Sequence, residues 1–139
     1  MKWIGWALLS ALFAAATAIL AKVGVAHVDS NLATAIRTTV VLVFAWAIAI
    51  SLGKHGEIRQ VDGRAWLFLT LSGLATGLSW LCYFRALQLG PASRVAPLDK
   101  LSVVLVMVFA VLFLGEKLSP AALVGGGLIA AGAAVMVLA

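Results

Sequence analysis

Residues 91–114 read PASRVAPLDKLSVVLVMVFAVLFL, and the fold turns on how far that run can reach. Its unbroken apolar part, 101–114, gives about 21 Å of helix, short of the roughly 30 Å that a bilayer core spans. A helix starting just after Gly90-Pro91 is long enough, but it carries Asp99 and Lys100 about 12 Å from its start. Pro97 lies two residues before Asp99 and leaves the Ser93 carbonyl without its usual amide partner. The expected structure is a full crossing over 92–114 with two charges inside it; a short re-entrant segment is the rival.

On either side the pattern repeats without the charges. Apolar runs at 3–21, 32–52, 65–89 and 120–139 are separated by turn signals: His27-Val28-Asp29-Ser30, with Asp29 or Ser30 as a helix cap, Gly53-Lys54-His55-Gly56, Gly90-Pro91, and Gly115-Glu116-Lys117 before Ser119-Pro120. The hydrophilic stretch from Gly53 to Arg64 reads as the longest loop. The first run follows Lys2 and contains Ala16-Thr17-Ala18. It is longer than the roughly 7–15 residues of a signal-peptide core and no polar region follows, so it reads as a membrane helix.

The composition supports the same class. Of 139 residues 64% are hydrophobic and 11% charged, with a mean hydropathy of +1.14. A soluble domain carries roughly 25% charged residues. Five crossings of about 20 residues take about 100, which leaves short loops and a single domain. The expected fold class is all-α: a polytopic membrane protein with about five transmembrane helices. The net charge of +5 comes from Lys and Arg scattered singly between apolar runs, which suits membrane edges and gives no nucleic-acid patch. The lone Cys82 offers neither a disulfide framework nor a metal set. His27 and His55 lack ligand spacing. No nucleophile–base pair, phosphate loop or cofactor motif is present, so no enzyme and no cofactor is expected.

Five helices place the two ends of the sequence on opposite sides. Lys2, Lys54, Arg59, Arg64 and Lys117 then fall on one side, and Lys22, Arg37, Arg85 and Arg94 on the other, with Lys100 counted as intramembrane. Orientation follows such counts. Five against four is nearly even, which permits insertion both ways.

Candidate functional residues lie on the third and fourth segments. Ser72, Thr76, Ser79 and Tyr83 recur at spacings of four, three and four, on one narrow helix face. They either glue helices together or line a wetted substrate path, with Trp80 beside them able to stack on a substrate. Asp99 and Lys100 are the sharper signal, since charges at depth persist where they are paired or wetted. Neighbours on a helix point about 100° apart, so each is expected to need its own partner or water. Asp99 would exchange a proton or bind a cation and Lys100 would meet an anionic group; the alternative is an ion-pair lock between helices. The Pro97 break adds exposed backbone of the kind that broken transporter helices use. Arg37, beside Thr34 and Thr38, either snorkels to the interface or pairs with Asp99. Glu116 is a turn residue or a gate contact. Gly73-x-x-x-Gly77 and the small-residue tract from Gly125 to Ala134 permit close helix packing within or between subunits.

The stretches 80–93 (WLCYFRALQLGPAS), 97–102 (PLDKLS) and 113–116 (FLGE) resemble an EamA-type domain of the drug/metabolite transporter superfamily, and Arg37 fits that resemblance too. Members of that superfamily resemble two such units fused, ten helices related by inverted topology around a cavity lined by the first, third and fourth helices of each half. This sequence would supply one half. The resemblance implies a secondary transporter of a small metabolite or drug-like solute in a bacterial cytoplasmic membrane, with proton or cation coupling, working by alternating access. A homodimer of oppositely oriented copies would restore the inverted repeat. The expected partners are therefore the lipid bilayer, a small-molecule substrate and a second copy of the chain. A non-transporting membrane subunit that supports a partner protein is the alternative. A four-helix small multidrug resistance exporter is disfavoured, because the first segment has no embedded Glu.

Overall fold

Asp29 shows how the chain turns its punctuation into helix ends. Its Oδ1 accepts from the amides of Asn31 at 2.9 Å and Leu32 at 3.2 Å, satisfying donors that a helix start leaves unpaired. Helix α2 therefore begins at Ser30, and Asp29 is its cap. The computed structural model describes residues 2–138, so Ala139, the last residue of the expected fifth segment, lies outside the described residues. In chain order the helices are α1 (Lys2–Gly24), α2 (Ser30–Ser51), α3 (Gly63–Leu89), α4 (Ala92–Asp99), α5 (Leu101–Leu114) and α6 (Pro120–Leu138); there is no strand among the described residues. Their ends agree with the expected segments to within one to three residues. The stretch after α2 differs: where a plain loop is expected, Lys54–Gln60 forms a 3₁₀ helix. Gly53 starts it at φ +69°, and Lys54 Nζ meets Glu57 Oε1 at 2.6 Å, the i,i+3 pair that a three-residue turn brings into line.

The same chemistry sets the other boundaries. Asp62 Oδ1 accepts from the Ala65 amide at 2.9 Å, which opens α3 at Gly63, two residues before the first apolar residue. Ser119 Oγ accepts from the Ala122 amide at 3.1 Å, with Pro120 in the first helical position of α6. Gly115, at φ +67°, stops α5, and the Glu116 amide closes onto the Ala110 carbonyl at 3.1 Å. Within α2 the hydroxyls of Thr34, Thr38 and Thr39 donate to carbonyls one turn back, at 2.8, 2.8 and 3.0 Å. That satisfies their polar hydrogens inside an apolar helix.

Five stretches are long and apolar enough to cross a membrane, and 92–114 is one of them. Large apolar side chains face outward: Trp6 is 74% and Phe113 78% exposed. Water would not tolerate so continuous an apolar exterior; hydrocarbon does, and the helices satisfy their own backbones as that medium requires.

The chain divides into two compact units. One contains the residues up to Lys22 and those from Leu89 on; the other is Val23–Gln88. In the first, α6 packs along both α4 and α5, with Ala110, Gly126 and Ala133 buried. A Cβ on Gly126 would lie 2.9 Å from Met107 Sδ, so the bare glycine makes room for the end of that side chain between α5 and α6. Lys22 donates to the Gly90 carbonyl at 2.8 Å in the same unit. In the second unit Val25, Ser30, Thr34, Phe84 and Leu87 are buried. Gln88 Nε2 donates there to the carbonyls of Val25 at 3.3 Å and Val28 at 2.6 Å, binding the α1–α2 turn to the end of α3.

Candidate functional site

The break in the fourth span is the first candidate region. α4 runs through Pro97 and ends at Asp99; the chain turns at Lys100 and resumes as α5. The interruption thus lies three residues beyond the proline. Lys100 N–H donates to the Pro97 carbonyl at 3.1 Å and the Val103 amide to the Lys100 carbonyl at 3.0 Å. These i,i+3 bonds are the tighter turn a helix makes where its regular ladder is disturbed.

The turn also changes the reading of the two charges. Lys100 Nζ lies 3.5 Å from Asp99 Oδ2, so the neighbours do face each other, contrary to the expectation that each needs a separate partner. That expectation assumed a regular helix and a fixed direction for lysine; the turn and the long side chain remove both assumptions. The contact is loose and open, with the Asp99 side chain 37% and the Lys100 side chain 57% exposed. Beside it, Pro97, Lys100 and Val103 form one wall of a cavity of about 350 Å³, and Leu128, Gly132 and Met136 of α6 form the other. Lys100 is the only charged group in this lining. An apolar groove with one charge at its rim can hold an amphipathic solute or an acyl chain. The participation of α6 had no sequence signal beyond its small residues.

The second region is the α2–α3 unit. Ser72, Thr76 and Ser79 are exposed, and Trp80 and Tyr83 are half-buried farther along α3. Thr76 Oγ1 donates to the Ser72 carbonyl at 2.9 Å, which leaves the hydroxyl oxygen outward as an acceptor. Arg37 crosses from α2 to this helix. Its guanidinium carbon lies 4.3 Å from the Trp80 ring centroid and 5.3 Å from that of Phe84. Cation–π contacts at this range are worth about 0.5–2 kcal/mol each. Arg37 was a candidate from the sequence, but its partners were missed. The available signal was the i,i+4 pair of aromatics, Trp80 and Phe84, which a helix stacks on one face. Arg85 is on the same helix but donates to Gln88 Oε1 at 3.1 Å. Glu116 is exposed, and its carboxylate forms no salt bridge among the described residues.

Residues 1–138 match the model of the EamA-like transporter family. A Sinorhizobium protein described as an uncharacterized transporter in a cobO 3′ region is 58% identical over 135 residues, covering 97% of this chain and 96% of that one. No solved structure matches.

Proposed function

The chain belongs to the EamA-like transporter family and is a multi-pass membrane transporter; from that premise we propose that it is a secondary transporter of small metabolites or drug-like solutes, coupled to a proton or cation. Ser72, Thr76, Ser79, Trp80 and Tyr83 on α3 contact substrate in one unit, and the Pro97–Lys100 break does so in the other. Asp99 takes up and releases the coupling ion, and Lys100 holds its charge while the ion is away. Glu116 stands at the end of the path as a gate residue. Two copies in opposite orientations complete the transport unit in the bacterial cytoplasmic membrane.

The observation that carries this reading is the broken span. A helix that crosses hydrocarbon keeps its ladder intact unless the interruption is used, and here the interruption coincides with a carboxylate and an ammonium that remain accessible. An open, weakly held Asp–Lys contact suits a group that must gain and lose an ion during each cycle. A packed structural lock would instead bury the pair and fill its remaining hydrogen bonds.

The test is proton movement in proteoliposomes loaded with a pH-sensitive dye, against a panel of amino acids, organic acids and cationic dyes. Asp99→Asn is expected to abolish substrate-driven proton flux, or ion-stimulated uptake if the coupling ion is a metal cation, while the variant still purifies as the same species. Unchanged coupled flux in that variant would remove Asp99 from the coupling role.

A further inference from the structure

Asp99 and Lys100 meet at the break between α4 and α5 at 3.5 Å, a long contact that uses one ammonium N–H and one carboxylate oxygen. An ammonium has three donors and an ionised carboxylate about four acceptor sites. Neither side chain has a further hydrogen bond or ion pair among the described residues. Arg37, another charge inside a span, differs, because Trp80 and Phe84 cover it with their ring faces. The fourth span is 23 residues long. Lys100 lies about 12 Å from its start and so about 5 Å from its middle, where charges persist only when paired or wetted. Hydrocarbon supplies neither donor nor acceptor.

The order of the two charges supplies an answer. In a twofold pair of copies, residue i of one meets j of the other, and j meets i. Adjacent charges of opposite sign are the shortest sequence that complements itself under that operation. We propose that Asp99 of each copy pairs with the partner's Lys100, so that the ion site is complete only when a second copy of this chain is present. The proposal deepens the two-copy transport reading above and rests on it. Each ammonium then lies against two carboxylates, its own and the partner's. For opposed copies the twofold axis runs through the middle of the membrane, and a lysine side chain is long enough to reach across it from Lys100. The groove beside Lys100 fits the same partner: its walls, with Pro97 and Val103 facing Leu128, Gly132 and Met136, carry no other charge. Gly132 lets a helix of the partner approach closely. During transport the partner's Lys100 faces Asp99 while the coupling ion is away and yields to the ion when it binds.

The experiment exchanges charges between two chains that carry different affinity tags, produced together in bacterial membranes and solubilised in mild detergent. Asp99→Lys leaves two cations at the break, and Lys100→Asp leaves two anions. Pairing is read from recovery of one tag with the other and from the mass of the complex. Each reversed chain alone is expected to lose self-pairing by at least about tenfold, since like charges then meet across the interface. The two reversed chains together should form a mixed pair at close to the unaltered level. Every contact across the axis is again between opposite signs, although the contact within each chain is between like signs. Asp99→Asn should stay paired, because the amide oxygen still accepts from the partner's Lys100.

Self-pairing of either reversed chain at the unaltered level would overturn the proposal. So would failure of the mixed pair to form, the result expected of a contact made within one copy. If the reversed chains accumulate only when produced together, the mixed pair is what stabilises them and the proposal holds. Absence of any pair in the unaltered protein would remove the two-copy reading and this proposal with it. Pairing that is indifferent to charge reversal would remove this proposal alone and leave the flux test of Asp99 standing.

Discussion

Gln88 illustrates how much one side chain can hold in a protein with little interior. Its amide nitrogen serves two carbonyls of the α1–α2 turn, while its oxygen accepts from Arg85. Leucine in its place would fit the surroundings but leave the carbonyls of Val25 and Val28 without that donor. Gln88→Leu is expected to lower stability by about 1–3 kcal/mol, the cost of unsatisfied buried polar groups, measured as unfolding in detergent by tryptophan fluorescence. An unchanged midpoint would mean that water replaces the amide. At this scale the sequence was partly legible. Local signals such as the Asp29 cap and the Gly90-Pro91 stop are encoded within four residues of where they act. The grip of Gln88 on Val25 and Val28, and of Arg37 on Trp80, joins residues tens of positions apart, and a local pattern such as the Trp80–Phe84 aromatic pair marks only one side of such a contact.

Among the elements, α5 rests the end of Met107 against the bare face of Gly126 on α6. A methyl there would meet Met107 Sδ at 2.9 Å and Cε at 3.0 Å, the mobile end of a flexible side chain. Gly126→Ala is therefore expected to change stability by less than about 1 kcal/mol, since methionine can re-aim. Gly126→Leu needs more room than Met107 can yield and should cost about 1–3 kcal/mol through overpacking. Combining it with Met107→Ala should recover much of that loss, and additive losses in the double variant would show that the two residues do not share the space. Hydropathy made the helices and their approximate ends readable, because length and apolar content decide what crosses a bilayer. It did not reveal which of the α6 glycines lies against a neighbour: Gly126 does, while Gly125 and Gly127 have open space. Nor did it reveal the 3₁₀ turn at Lys54–Gln60, where polar residues carry no periodic signal.

For the whole molecule, orientation in the membrane is the property on which assembly depends. Lysine and arginine are divided five to four between the two sides, and short loops with balanced charge give the insertion machinery little to choose by. Reporters fused to the C-terminus, one active only in the cytoplasm and one only outside, are expected both to give strong signals. A signal from one alone would exclude pairing of opposed copies and require a fixed-orientation assembly or a different partner. The class of molecule was readable from composition because the solvent dictates it: a chain that is 64% hydrophobic has to live in lipid. The candidate site was less so. Asp99 and Lys100 stand out as charges in an apolar run, whereas the groove that Lys100 lines with α6 depends on packing that composition does not specify.

The turn at Lys100 also has an electrical meaning. Every helix carries partial positive charge at its start and partial negative charge at its end, as much as about half a unit at each pole. Where α4 stops and α5 begins, the negative pole of one meets the positive pole of the other inside the span. Lys100 stands between the two poles, and Asp99 is the last residue of the helix before it. The poles meet head to tail across one residue and partly offset each other, which leaves the Asp99–Lys100 contact as the feature a proton or cation meets at the break.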